Sequence, residues 1–187
     1  MSRSLLDRAD LALLRQVSAG RPTVALAAGL VDTGLLQFDP DDPGWPDRDR
    51  VVVCGQEAAA ALRERVAAAG GDAAVVATEA ALGGDALALA LGAALASRLD
   101  GSVWRSWCLL GEDAVDDGRL WEVATAAREA RADMLTVLGA GTAAAALWHA
   151  CGWTVHTAPA GDPAWLLGAL DHAVAAGPAV VLATADG

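Results

Sequence analysis

Val51-Val-Val-Cys-Gly-Gln-Glu-Ala-Ala-Ala-Ala-Leu-Arg-Glu-Arg-Val-Ala-Ala-Ala-Gly70 is the stretch that decides the fold. Val51–Cys54 is four apolar residues with no alternation, the signature of a strand buried on both faces. A glycine ends it, and Glu57 to Ala69 follows with helical composition before Gly70-Gly71 stops the run. One strand followed at once by one helix is half of a βαβ unit. The same alternation recurs to the end of the chain. Strands are expected at Ala73 to Ala77, Val103 to Leu110, Met134 to Leu138, Thr154 to Thr157 and Ala179 to Ala183. Helices are expected at Ala86 to Ala96, Leu120 to Ala130, Thr142 to Ala150 and Pro163 to Ala176. The Ala86 to Ala96 helix has almost no polar side, so a central position is expected for it. This order implies right-handed crossovers and a mostly parallel sheet with helices on both faces.

Upstream of residue 51 the pattern differs. Arg3 to Val17 has helical periodicity through Leu5, Leu6, Leu11, Leu13 and Leu14, with Ser18-Ala19-Gly20 as its stop. A second helix is expected from Thr23 to Leu36, opened by Pro22. Phe38 to Arg50 is a polar loop whose prolines and glycine forbid regular structure. No internal repeat or linker interrupts the chain, and 187 residues suit one α/β domain spanning 1–187.

Composition narrows the chemistry. Hydrophobic residues make up 55% of the chain, too many for a disordered segment. There is no Lys, Asn, Ile or Tyr, a bias expected of a GC-rich bacterial genome, and all 13 basic residues are Arg. Without Lys there is no Schiff base and no phosphate-anchoring P-loop lysine. A net charge of −11 with scattered arginines argues against nucleic acid and anionic membranes as partners. No apolar run reaches the roughly 20 residues of a membrane span, and no long apolar leader opens the chain, so a cytoplasmic location is expected. Cys54, Cys108 and Cys151 are odd in number and widely spaced, which reads as free thiols.

Ligands of parallel sheets bind at the carboxyl ends of the strands. The loop after Leu110 carries Glu112, Asp113, Asp116, Asp117 and Glu122. Such acids can hold Mg²⁺, and they can equally cap the following helix. The loop after Leu138 reads Gly139-Ala-Gly-Thr-Ala-Ala144, a dinucleotide fingerprint in form. Its late position and the lack of an acid after the next strand weigh against nicotinamide cofactors. His149, His156 and His172 stand outside any hydrolase motif, and the seven Trp read as core or interface residues.

Taken in order, these segments resemble the N-terminal, diphosphate-binding section of transketolases. Asp39-Pro-Asp-Asp-Pro-Gly-Trp-Pro-Asp-Arg-Asp-Arg-Val-Val-Val-Cys-Gly55 is similar to the family's DPxxPxWxxRDR segment and the strand after it. Ala58 to Gly70, Leu82-Gly83 with Gly92-Ala93-Ala94, and Leu109-Leu-Gly-Glu-Asp-Ala-Val-Asp-Asp-Gly-Arg-Leu-Trp-Glu122 follow in register. So do Gly152-Trp153 with Gly161-Asp162, and Ala176 to Thr184. The departures fall on the chemistry. Arg21, Gln56 and Ala160 stand where the family carries histidines, Glu112-Asp113 replaces Asp-Gly, and Thr142 falls near the family's metal-binding Asn, after which about twenty residues are absent.

The resemblance implies a thiamine diphosphate-binding fold. It places Gly83, Gly84, Gly111, Glu112, Asp113 and Thr142 nearest the diphosphate of thiamine diphosphate, with Glu112 and Thr142 as the Mg²⁺ ligands. It implies no catalytic residue in this chain, because the activating Glu belongs to a separate pyrimidine-binding domain. The expected function is therefore that of an N-terminal-type subunit of a split, transketolase-like transferase of two-carbon ketol or acyl units. Such a subunit would form a hetero-oligomer with a C-terminal transketolase-like partner that carries the pyrimidine-binding domain. The alternative is a non-catalytic scaffold or stabilising subunit that has lost cofactor binding.

Overall fold

The apolar run at 51–54 does become the buried strand its composition requires. In the computed structural model, which describes residues 21–185, strand β1 spans Arg50–Cys54. The helix expected over Arg3–Val17 lies outside the described residues. Five further strands follow: β2 (Ala77–Ala80), β3 (Ser106–Leu110), β4 (Leu135–Ala140), β5 (Thr154–Pro159) and β6 (Ala179–Thr184). They form one sheet in the order β2-β1-β3-β4-β6-β5, and every neighbouring pair is parallel. The chain steps from β1 outward to β2 and then returns to place β3 on the other side of β1. That reversal opens a crevice between the carboxyl ends of β1 and β3, where ligands of doubly wound sheets bind.

The helices are α1 (Pro22–Asp32), α2 (Gln56–Ala68), α3 (Ala73–Val76), α4 (Gly83–Asp100), α5 (Gly118–Glu129), α6 (Ala145–Ala150) and α7 (Pro163–Ala176), with a 3₁₀ turn at Glu112–Asp116. α1, α2 and α7 pack on one face of the sheet around Leu26, Leu62, Leu109, Leu170 and Val181. α4, α5 and α6 pack on the other around Leu87, Cys108, Leu120, Leu135 and Trp148. Under α5 and α6, Trp148 meets Trp121 and Trp153 edge-on at ring centroid distances of 5.1 and 5.0 Å. The Trp153 indole N–H donates to the Ala124 carbonyl at 2.8 Å, so a large apolar body is buried without orphaning its polar tip.

Three expectations are corrected. The helix enclosed all round is α1, whose residues 22–31 are all buried, and not α4. α4 buries Ala86, Leu87, Ala90, Ala94 and Ser97 but leaves Leu89 51% and Leu99 82% exposed, so it has one covered face. The strand expected at Ala73–Ala77 is a turn of helix followed by β2, because the Asp72 carboxylate accepts from Ala74 N–H at 2.9 Å and starts a helix there. Helix α1 stops at Asp32, short of Leu36, where the Thr33 hydroxyl donates to the Gly29 carbonyl at 2.6 Å. No helix among the described residues is long and apolar enough to cross a membrane.

Candidate functional site

The crevice is built from two loops that leave adjacent strands. β1 ends at Cys54 and the chain turns through Gly55, whose φ of +117° favours glycine. β3 ends at Leu110, and the Gly111 N–H donates to the Cys54 carbonyl at 2.7 Å, so the two loops leave the sheet bonded together. A Cβ on Gly55 would sit 3.3 Å from the Gly111 Cα. On one side of this junction is a cavity of about 280 Å³ lined by Arg21, Thr23, Gln56, Glu57, Glu112 and Asp113. On the other is a second of about 280 Å³, lined by Cys54, Leu82, Gly83, Ala114 and Asp117 together with Gly111, Glu112 and Asp113.

Of the residues singled out from sequence, Gly83, Gly111, Glu112 and Asp113 meet at the second cavity. Gly84 lies one residue inside α4, behind it. Thr142 is exposed in the loop between β4 and α6 and lines neither cavity. The Gly139-to-Ala144 fingerprint opens no long helix: Gly141 N–H donates to the Ala183 carbonyl at 2.8 Å, and α6 begins only at Ala145. No histidine lines either cavity. The one thiol there, Cys54, is pushed up by burial and then by the charges of Asp117 and Asp85, so it stays protonated at neutral pH.

Asp117 decides what the glycines at 83 and 84 are for. One carboxylate oxygen accepts from Gly84 N–H at 2.9 Å, and the other accepts from Arg119 N–H at 3.1 Å as the N-cap of α5. One side chain thus caps two helix N-termini from a position between them. The Gly84 N–H, followed first by the Arg119 N–H, holds its carboxyl below the ordinary value of 3.8. Such a group contributes stability that is present above pH 3.8 and lost as pH falls through the depressed value. Asp117→Ala is therefore expected to lower the melting temperature at neutral pH, with the gap to wild type closing on acidification. Thermal melts of both chains across the acid range check this.

Thiamine diphosphate with Mg²⁺ can be tested against these residues. A metal–diphosphate needs cations, free N–H donors and a set of oxygen ligands. The cavities present Glu57, Glu112, Asp113 and Asp117 against Arg21, four carboxylates to one guanidinium. Arg21 stands 3.8 Å from Glu57. The Gly84 N–H at the start of α4 is already bonded to Asp117, and the Gly111 N–H to Cys54. Among the described residues no three His, Cys, Asp or Glu are grouped to hold a metal ion. The residues present do not fit the group.

No protein-family model and no curated protein matches the sequence. Solved structures do. A transketolase from Campylobacter jejuni is 19% identical, with a TM-score of 0.73 over 94% of this chain and 37% of that one. A transketolase from Leishmania mexicana is 20% identical, with a TM-score of 0.70 over 94% of this chain and 34% of that one. A transketolase mutant from Pichia stipitis is 17% identical, with a TM-score of 0.70 over 95% of this chain and 36% of that one. This chain spans about a third of the length of the transketolases it matches. At such identities the likeness is one of fold: the described residues form an all-parallel α/β domain built like a portion of a transketolase.

Proposed function

We propose that this chain is a non-catalytic, N-terminal-type subunit of a transketolase-like complex, and that it scaffolds a C-terminal partner carrying the pyrimidine-binding domain. The observation that carries this reading is Asp117 seated on the Gly84 N–H, in a crevice where carboxylates outnumber the one arginine. A site in this state holds neither diphosphate nor its metal, while the parallel sheet and the helices on its two faces are retained. Large apolar residues are exposed on and beside α4, where a partner could cover them: Leu82, Leu89, Leu99 and Val103 are 46, 51, 82 and 76% exposed. Burying such residues supplies association energy at about 25 cal/mol per Å² of apolar surface.

The test pairs this chain with the product of an adjacent reading frame that encodes a pyrimidine-type domain. The two are expected to co-purify and to melt higher together than apart. Titration of this chain alone with thiamine diphosphate and Mg²⁺ is expected to show no saturable binding. Titration of the complex is likewise expected to show no saturable binding, and the double variant Glu112→Ala, Asp113→Ala is expected to assemble with the partner as the wild type does. A saturable cofactor isotherm, on this chain or on the complex, that the double variant abolishes overturns the proposal. It would favour the second reading, an active half-site. That reading has its own support in the convergence of Gly83, Gly111, Glu112 and Asp113 on one crevice.

A further inference from the structure

A larger cavity lies away from the crevice. β4 and β6 separate β5 from the β1–β3 junction. Between β5 and α7 is a groove of about 480 Å³, lined by Val155, His156, Thr157, Ala164, Trp165, Gly168, Ala169 and His172. It shares no residue with either crevice cavity. Its size falls in the range of about 300–1,000 Å³ typical of small-molecule sites, which the crevice cavities do not reach. Its lining differs too. No charged carboxylate or guanidinium lines it, in a chain whose net charge is −11.

Three rings mark the groove. The Trp165 indole is 64% exposed in the first turn of α7. His156 and His172 lie nearly parallel, with an interplanar angle of 21° and ring centroids 6.2 Å apart. The His172 Nδ1 is 2.6 Å from the Gly168 carbonyl, which can only accept, so Nδ1 carries a proton in that bond and Nε2 takes no part in it. The His156 Nε2 is buried with no hydrogen-bond partner. Burial, and then His172, lowers the proton affinity of His156, so its ring is neutral at physiological pH. A buried polar atom without a partner costs free energy until something supplies one.

We propose that this groove binds a neutral, planar heteroaromatic ligand of one or two rings, stacked against Trp165, whose polar edge pairs with the His172 Nε2 and whose ring lies against His156. The aromatic surface supplies stacking that needs no charge, and the His172 imidazole reads the polar edge. A phosphate or carboxylate on the ligand gains nothing here, because no Arg lines the groove.

Adenine is the probe, with adenosine monophosphate as its anionic counterpart. The chain has three histidines, so imidazole proton resonances report on His156 and His172 with the exposed His149 as an internal control. Adenine is expected to shift the His156 and His172 resonances saturably and to leave His149 unmoved, and the monophosphate is expected to bind no more tightly. Trp165→Ala, a surface change that leaves the core intact, is expected to weaken adenine binding by about tenfold, in line with the loss of one base–aromatic stack. His172→Ala is expected to weaken it as well. Shifts that fail to saturate, equal shifts at His149, or undiminished binding in Trp165→Ala overturn the proposal. So does loss of acrylamide quenching of Trp165 on mixing with a protein partner, which would mean that a macromolecule covers the groove.

Discussion

Asp49→Ala is expected to lower the melting temperature by about 10 °C, corresponding to roughly 4 kcal/mol in a chain of this size. Asp49 is 1% exposed at the opposite end of the sheet from the crevice. Its carboxylate accepts from Arg105 N–H at 2.7 Å, from the Trp107 indole at 2.8 Å and from Gln37 N–H at 3.1 Å. One side chain thereby ties the irregular loop at 38–49 to the starts of β1 and β3. Alanine would leave three donors without their acceptor, the Trp107 indole N–H among them in a fully buried place. Burial pushes the Asp49 carboxyl above its ordinary value of 3.8, and the donors and Arg105 pull part of that shift back. The folded chain therefore holds this proton more tightly than the unfolded one. The associated stability is complete below pH 3.8 and declines as pH rises through the raised value. Asp49→Asn keeps one accepting oxygen and has no proton to lose. It is expected to cost less than Asp49→Ala, and its penalty is expected to shrink as pH rises through that window. Urea denaturation of the three chains across pH, followed by Trp fluorescence, checks both statements. An alanine variant as stable as wild type would show that the loop is held by other contacts.

The strands inside the sheet are legible from sequence because burial on both faces favours unbroken apolar runs, whereas the half-exposed edge strand β2 is not. Val51–Cys54, Trp107–Leu110 and Val180–Ala183 are such runs, and all are buried. The helices were harder to place. In an Ala-rich chain a helix face is identified less by which residues are apolar than by what they meet. α4 and α1 look alike by composition, and only packing shows that a Cβ on Gly29 of α1 would lie 3.3 Å from Leu170 and 3.4 Å from Leu166 while Leu99 of α4 meets solvent. The site divides in the same way. Residues that leave the ends of β1 and β3 could be placed from the topology rule alone. Asp117 was one acid among five in its loop, and nothing local distinguishes an acid that reaches across 33 residues to Gly84 from one that faces water. Asp49 stands in the Arg48-Asp49-Arg50 stretch that matches the family's segment, but nothing local shows that its carboxylate gathers three donors from other parts of the chain. The groove at Trp165 has no local sequence signal, because His156 and His172 come from a strand and a helix that only the fold brings together.

Small residues beside a cavity are ambiguous, because glycine admits close approach without saying by what. A phosphate and a protein loop both need the missing Cβ. At Gly83 the structure gives the answer: a Cβ there would fall against the Ala114 carbonyl oxygen, well inside contact distance, and 3.0 Å from the Ala114 Cβ. At Gly84 it would lie 2.8 Å from the Arg119 Cβ and 2.9 Å from the Asp117 carboxylate. The glycines are used by the chain's own 112–119 segment, which sits on the start of α4.

Gly83→Ala is accordingly expected to destabilise the protein. Two effects oppose each other. Alanine in place of glycine favours a helix by up to about 1 kcal/mol. Forcing a Cβ into a filled space costs about 1–3 kcal/mol, and more when the obstacle is backbone that cannot rotate aside. Gly83 faces backbone, so overpacking wins, with a net loss of about 2 kcal/mol and a drop of roughly 6 °C in melting temperature. The clash is relieved only if the 112–117 segment lifts from α4, which pulls the Asp117 carboxylate off the Gly84 N–H. The two substitutions are therefore coupled: Asp117→Ala is expected to cost less in the Gly83→Ala background than in wild type, and a double-mutant cycle in urea measures the difference. Additive effects would mean that Asp117 keeps its bond when the loop is displaced, and that α4 is capped independently of the packing beneath it.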